Sequence, residues 1–211
     1  MALVKLNNRG VRSATTFGSI TGLGSMVFIK KLTSSSSATL SFVDGSSDVV
    51  LDDTYKEYLF TFNNMHPATD SAHFQFNMSV DTGSNYNVTK TTTFFHAAHR
   101  QDAAVTELSY DTGQDLAQST NFQRLAYNID GSHASDNLSG YLHLFNPSST
   151  TFVKHFIATN NYTYDGDGDE QYSYNIFVGG YFNTTTAITR LQFKFESGNI
   201  DAGDICLYGI N

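Results

Sequence analysis

The chain has 211 residues, 40% hydrophobic and 15% charged, so it can bury one core and is not disordered in bulk. Its single cysteine, Cys206, excludes an intrachain disulfide, and the neighbouring residues predict a small buried strand residue rather than a nucleophile. The formal net charge is −8, and all 20 acidic residues follow residue 43. Duplex phosphates would repel such an acidic body, so we expect no nucleic-acid partner.

The first 24 residues predict an extended arm. Four glycines lie among small polar residues there, and residues 1–43 hold five basic residues and no acid. We expect this arm to dock the protein to a partner, through Leu3, Val4, Lys5, Leu6, Arg9, Val11 and Arg12. The alternative is that the arm completes the protein's own sheet. The start lacks the apolar segment of a secretion signal, and no run is long enough for a membrane span, so we expect a soluble protein made in a cytoplasm.

From residue 25 onwards, short strand-like runs alternate with turns rich in Gly, Asn and Asp. They lie near 25–32, 37–43, 56–63, 72–80, 87–96, 104–110, 121–128, 138–145, 151–159, 172–182, 187–196 and 204–210. Two runs, 73–80 and 190–196, alternate apolar and polar residues without error, which predicts one buried and one solvated face each. The predicted inward residues are Phe74, Phe76, Met78, Val80, Leu191, Phe193 and Phe195. Residues 25–211 are therefore predicted to form one all-β, antiparallel β-sandwich.

Two segments are candidates for metal binding. Asp165, Asp167 and Asp169 alternate with glycine, and carboxylates are ligands that suit Ca²⁺. The EF-hand pattern is not met, because Glu170 stands where it needs glycine and Ile176 where it needs an acid. A solvated loop is the favoured interpretation, and we predict no metal. His96 and His99 could share one face of a helical turn, but ordinary polar histidines are favoured over ligands.

No catalytic motif is present in the sequence. There is no G-x-S-x-G elbow and no phosphate-binding loop, so we predict a non-enzymatic protein with no catalytic residues and no cofactor. Tyrosine and asparagine are frequent at 85–87, 160–164 and 172–175, which we place in or beside turns. Exposed rings and amides there could bind a surface glycan or form a protein interface, and the interface is favoured.

Several longer segments carry a family resemblance. Residues 55–68 (YKEYLFTFNNMHPA) are followed by Phe74-Gln75-Phe76 and later by 138–147 (LSGYLHLFNP) and 198–203 (GNIDAG). In this order they resemble the virion structural proteins of tailed bacteriophages, notably marine and cyanobacterial phages (cyanophages). The resemblance covers most of residues 17–210. It implies a jelly-roll β-sandwich, a place on the virion and no catalytic residues.

The resemblance implies a role in assembly. Because the chain has no repeats or heptads for a shaft, we expect an accessory protein that decorates the capsid exterior, or else a tail or tail-fibre component. The alternative is a lectin-like module of the phage tail that binds a receptor or carbohydrate. The implied partners are other virion proteins and the protein itself, as a homo-oligomer for which a trimer is the first expectation. The implied location is the virion, assembled in the host cytoplasm.

Overall fold

The computed structural model describes residues 25–83, 85–165 and 171–211, and the predicted docking arm lies outside them. All regular structure within these ranges is β-strand. The twelve strands follow the predicted runs in order, and their bounds are β1 (Met26–Thr33), β2 (Leu40–Val43), β3 (Glu57–Pro67), β4 (Phe74–Ser79), β5 (Lys90–Arg100), β6 (Thr106–Tyr110), β7 (Gln123–Arg124), β8 (Leu138–Phe145), β9 (Lys154–Asp165), β10 (Gln171–Phe182), β11 (Arg190–Phe195) and β12 (Ile200–Ile210).

The strands form two antiparallel sheets packed as a sandwich, which confirms the predicted fold class. The large sheet has the order β1-β12-β3-β8-β9-β10-β5-β6, and the small sheet the order β2-β11-β4-β7. The pairs β3–β12, β4–β11 and β5–β10 are nested and alternate between the sheets, as in a jelly roll. The β8–β9 hairpin separates β3 from β10, so jelly-roll connectivity in detail stays a prediction.

The core between the sheets is dominated by phenylalanine. Phe74, Phe76, Phe193 and Phe195 face inward as the alternation predicts, and so do Met78 and Leu191. Val80 lies at the margin and packs against the core from a partly exposed position. Phe193 is central, with its ring centroid 5.3–6.3 Å from those of Phe42, Phe60, Phe62, Phe74 and Phe76.

The prediction that one face of β4 is solvated is wrong. Gln75, Asn77 and Ser79 are buried as well, because loops cover the outer side of this strand. The Asn77 side-chain amide donates hydrogen bonds to the carbonyls of Tyr86 (2.6 Å) and Thr120 (3.0 Å). Alternation shows which residues of a strand share a face, but not whether a distant loop covers that face.

Candidate interaction surface

The outer face of the large sheet carries rows of aromatic and aliphatic side chains. Strand pairing places Phe177 of β10 between Phe95 of β5 and Thr159 of β9, and Thr159 lies opposite Tyr141 of β8. The Phe95 and Phe177 rings are stacked, with centroids 4.9 Å apart. Tyr110 of β6 lies opposite Phe95 and extends the row to the edge of the sheet. The pairing register therefore builds a continuous row from residues far apart in sequence.

A second row runs parallel to the first and contains a gap. Gly179 lies between Thr93 and Ile157, and a Cβ added to it would meet no atom closer than 3.8 Å. The gap belongs to a shallow cavity of about 530 Å³ with an apolar floor, which His155 and Tyr181 also line. A glycine on a paired strand here leaves room for a group that another molecule could insert.

Exposed apolar surface is concentrated on this side of the molecule. Eight large hydrophobic residues of the described chain are exposed, and seven of them belong to outward positions of the large sheet. We call this surface the aromatic face, with Met26, Phe28, Phe95, Leu108, Tyr110, Tyr141 and Ile157 as its exposed members. The eighth residue, Phe152, lies in the β8–β9 loop. Single exposed hydrophobic residues are common on protein surfaces, but one shared face is typical of an interaction site.

The aromatic face is almost free of charge. Among the described outward side chains of the six neighbouring strands β3, β8, β9, β10, β5 and β6, Glu57 is the only acidic residue, and there is no lysine or arginine. On the other two strands of the sheet, β1 and β12, Lys31 and Asp204 form an ion pair at 3.2 Å. The Glu57 carboxylate is hydrogen-bonded to Nδ1 of His143 in the neighbouring strand. Aromatic enrichment combined with depletion of charge is the composition of an interface core.

A separate cluster of ionisable side chains lies in the β7–β8 connection. Asp130, His133 and Asp136 each offer one ligand atom, and these atoms lie within 4.8 Å of one another. A hydrogen bond with Asp70, followed by one from the Ser132 backbone N–H, lowers the pKa of Asp130 to about 2. Nδ1 of His133 is 3.9 Å from Oδ2 of Asp130 and 3.8 Å from Oδ2 of Asp136.

Of the metal candidates of the sequence, the structure separates the two histidines, while the aspartate set lies largely outside the described residues. Asp165 is the last residue of β9, while Asp167 and Asp169 lie outside the described residues. His96 and His99 belong to β5, not to a helical turn, and their odd spacing on a strand directs them to opposite faces. His96 is buried and stacks on Tyr174, with ring centroids 5.2 Å apart. The shared-face hypothesis for these two histidines is therefore wrong.

The tyrosines of 160–164 and 172–174 were predicted to lie in or beside turns, but they belong to the paired strands β9 and β10. Tyr162 is 1% exposed, and its hydroxyl donates a 2.8 Å hydrogen bond to the Tyr127 carbonyl. Tyr164 and Tyr174 pack against the core from partly buried positions. These rings therefore do not form the exposed platform expected from the sequence. The aromatic face consists of other residues and was not identified from the sequence. The pattern that could have predicted it is the occurrence of aromatic rings at every second position of a strand, such as Tyr141, His143 and Phe145.

Cys206 is a free, buried thiol in β12, as its neighbours predict. In the described part of the chain, no helix is long and apolar enough to cross a membrane. None of the protein-family models, curated proteins or solved structures with which the chain was compared matches it.

Proposed function

We propose that this protein is a non-enzymatic structural protein of a bacteriophage particle that assembles through the aromatic face. The observation that supports an assembly role is the aromatic, charge-poor outer surface of the large sheet. The phage context rests on the resemblance of residues 55–68, 138–147 and 198–203. Within a particle, the proposed place is the capsid exterior, as a decorating accessory protein, or the tail.

The proposed partner of the aromatic face is a second copy of this chain. Residues 25–211 hold all 20 acidic residues against nine basic ones, so two copies repel wherever charged surfaces meet. The aromatic face carries little net charge, because Lys31 and Asp204 pair with each other and Glu57 is the only acid among the described outward side chains of the other six strands, so two copies can meet there without that repulsion. Eight strands spaced about 4.8 Å apart and four rows of side chains span roughly 34 by 20 Å, or about 700 Å². This area is close to the ~800 Å² that each partner contributes to a standard interface.

A pair of matched variants tests this assembly. Ile157→Asp places a charge in the middle of the aromatic face, where the side chain is 55% exposed. Phe152→Asp is the control, because Phe152 is 67% exposed but lies off the face in a loop. In analytical ultracentrifugation, we expect wild type and Phe152→Asp to form the same oligomer and Ile157→Asp to be a monomer. A dimer would indicate that the same face pairs with itself, whereas a trimer, which the resemblance favours, would require contacts between different parts of the face. A monomeric wild type, or an oligomer unaffected by Ile157→Asp, would contradict self-assembly through this face.

The place on the particle is tested by quantitative mass spectrometry of purified virions together with immunogold labelling. We expect the protein at a fixed copy number, with labels on the capsid exterior or the tail. Deletion of residues 1–20 tests the docking arm. A truncated protein that stays folded and no longer binds particles supports docking, whereas one that unfolds shows a structural arm. Normal decoration by the truncated protein would overturn the docking hypothesis.

A further inference from the structure

A polar cavity lies on the outer face of the small sheet, on the opposite side of the sandwich from the aromatic face. It has a volume of about 450 Å³ and is bounded by β4, β7, β11 and the loop that contains residues 113–122. Strand pairing sets Gln75 of β4 opposite Lys194 of β11 and also opposite Arg124 of β7. An ammonium, an amide and a guanidinium therefore lie side by side in one row that lines the cavity.

The Gln75 side chain is the most informative member of this row. It is only 7% exposed, yet no described residue forms a hydrogen bond with its amide. The nearby amide of Gln123 shows the ordinary situation: it accepts from Thr92 (2.5 Å) and donates to the carbonyls of Gln114 (3.1 Å) and Arg124 (2.9 Å). The Gln75 amide atoms are not sealed from solvent but line the cavity, so they are available to hydrogen-bond a polar ligand there.

The charged side chains around Gln75 indicate that the ligand carries a negative charge. The Lys194 ammonium lies 4.6 Å from the centre of the Phe122 ring and forms no ion pair with a described carboxylate. Arg124 is fixed by hydrogen bonds to Gln114 Oε1 (2.7 Å) and Glu196 Oε2 (2.9 Å). The positive charge of Lys194 is thus available to an anion, and the neighbouring Gln75 amide can donate to the same group.

The remaining walls favour an anion that has a single charge and also carries hydroxyl groups. Glu196 and Asp115 also line the cavity, so its acids and bases balance and a dianion would meet repulsion. Their carboxylates can accept hydrogen bonds from sugar hydroxyls, and Phe122 offers an apolar surface to the C–H groups of a sugar ring. We propose that this cavity binds a sugar that carries a carboxylate, with the carboxylate between Lys194 and Gln75. This site goes beyond the assembly role and is independent of it.

The wall of the cavity is held in place by β5. The backbones of Lys90 and Ser119 exchange two hydrogen bonds (2.9 and 3.0 Å), and the Thr92 backbone N–H donates to the Leu116 carbonyl (2.8 Å). The Lys90 ammonium, which is fully buried, donates to the Asn121 carbonyl from below. These contacts shape the loop next to Phe122 before any ligand arrives, which reduces the ordering that binding requires.

The test is a nuclear magnetic resonance titration of the full chain with the methyl glycosides of glucuronic, galacturonic and N-acetylneuraminic acid. The corresponding neutral carboxamides serve as matched ligands. We expect saturable chemical-shift changes of the Gln75 side-chain amide with at least one acid. The corresponding carboxamide should bind at least about tenfold more weakly. Absence of saturable shifts at Gln75 with all three acids, or equal binding of acid and carboxamide, would overturn the proposal.

Three variants locate the site. Lys194→Met removes the charge and should weaken binding at least about tenfold, whereas Lys56→Met removes an exposed lysine that does not line the cavity and should bind as wild type. Gln75→Leu should lose binding while the melting temperature does not fall, because no hydrogen bond to a described residue is lost. Unchanged binding in both Lys194→Met and Gln75→Leu would place the sugar elsewhere and contradict the proposed site. Since the oligomeric state of these variants is measured separately, failure here leaves the assembly role unaffected.

Discussion

The outer faces of the two sheets differ in almost every chemical property, although both cover the same phenylalanine core. The large sheet presents stacked rings such as Phe95 and Phe177. The described outward side chains of its strands β3, β8, β9, β10, β5 and β6 include a single acid. The small sheet presents Lys194, Gln75 and Arg124 in one row, with Glu196 beside them. The two proposed roles follow this difference: a charge-poor aromatic face suits assembly, and a charged cavity suits recognition of a small polar ligand.

The largest predicted effect on stability comes from truncating a side chain in the core that the two sheets share. Phe193 follows Gln192 and precedes Lys194 on β11, but it is fully buried among five phenylalanine rings. Phe193→Ala should lower the free energy of unfolding by ~3–5 kcal/mol, as measured by urea denaturation. Leu108→Ala on the aromatic face is the control, because Leu108 is 76% exposed and should change stability by less than about 0.5 kcal/mol. A small effect of Phe193→Ala would contradict a common core for the two faces.

The loop that forms the cavity wall should make stability depend on pH through Lys90. Burial lowers the pKa of this ammonium from 10.5 to about 7. Between these two values the unfolded chain binds more protons than the folded one, so stability rises with pH in this window. From pH 7 to 9 we expect a gain of roughly 2 kcal/mol relative to Lys90→Met, in which this contribution is absent. Equal pH profiles of wild type and Lys90→Met would show that Lys90 does not titrate in this range.

Gln75 sharpens the comparison because its amide lines the cavity without a hydrogen bond to a described residue. Gln75→Leu should leave the free energy of unfolding unchanged or raise it by up to about 1 kcal/mol, since no hydrogen bond to a described residue is lost. Gln192→Leu is the matched control on the same face: its amide donates a 3.1 Å hydrogen bond to Ser41, so this change should not stabilise the protein. Thermal denaturation of both variants without ligand distinguishes them, and destabilisation by Gln75→Leu would show that its amide already has a partner.

The smallest expected effect concerns the exposed charges of the small sheet. Glu196 is 48% exposed and pairs with Arg124 at 2.9 Å. Glu196→Gln should cost at most about 1 kcal/mol at low salt, and this cost should fall at high salt because exposed ion pairs are screened. Self-association through the charge-poor aromatic face should not weaken under the same salt. Association that weakens with salt as strongly as the ion pair would mean that charges, rather than rings, hold the copies together.

The sequence alone determined the strands and the inward side of the two best-patterned ones. Alternation in 73–80 and 190–196 is a local property, since successive side chains of any strand point to opposite faces. It therefore identified Phe74, Phe76, Phe193 and Phe195 as core, and the turn residues between runs indicated all twelve strands. The acidic body and the single free cysteine likewise follow from composition.

Only the tertiary structure decided which residues meet across strands and which outer faces are covered. Gln75, Lys194 and Arg124 are separated by up to 119 positions, and their row exists because β4 pairs with both β7 and β11. The same holds for Tyr141 and Phe177 on the aromatic face, and for the loop that buries Asn77. Pairing register is set by backbone hydrogen bonds and packing between distant segments, and a local pattern carries no information about which strand will be the neighbour.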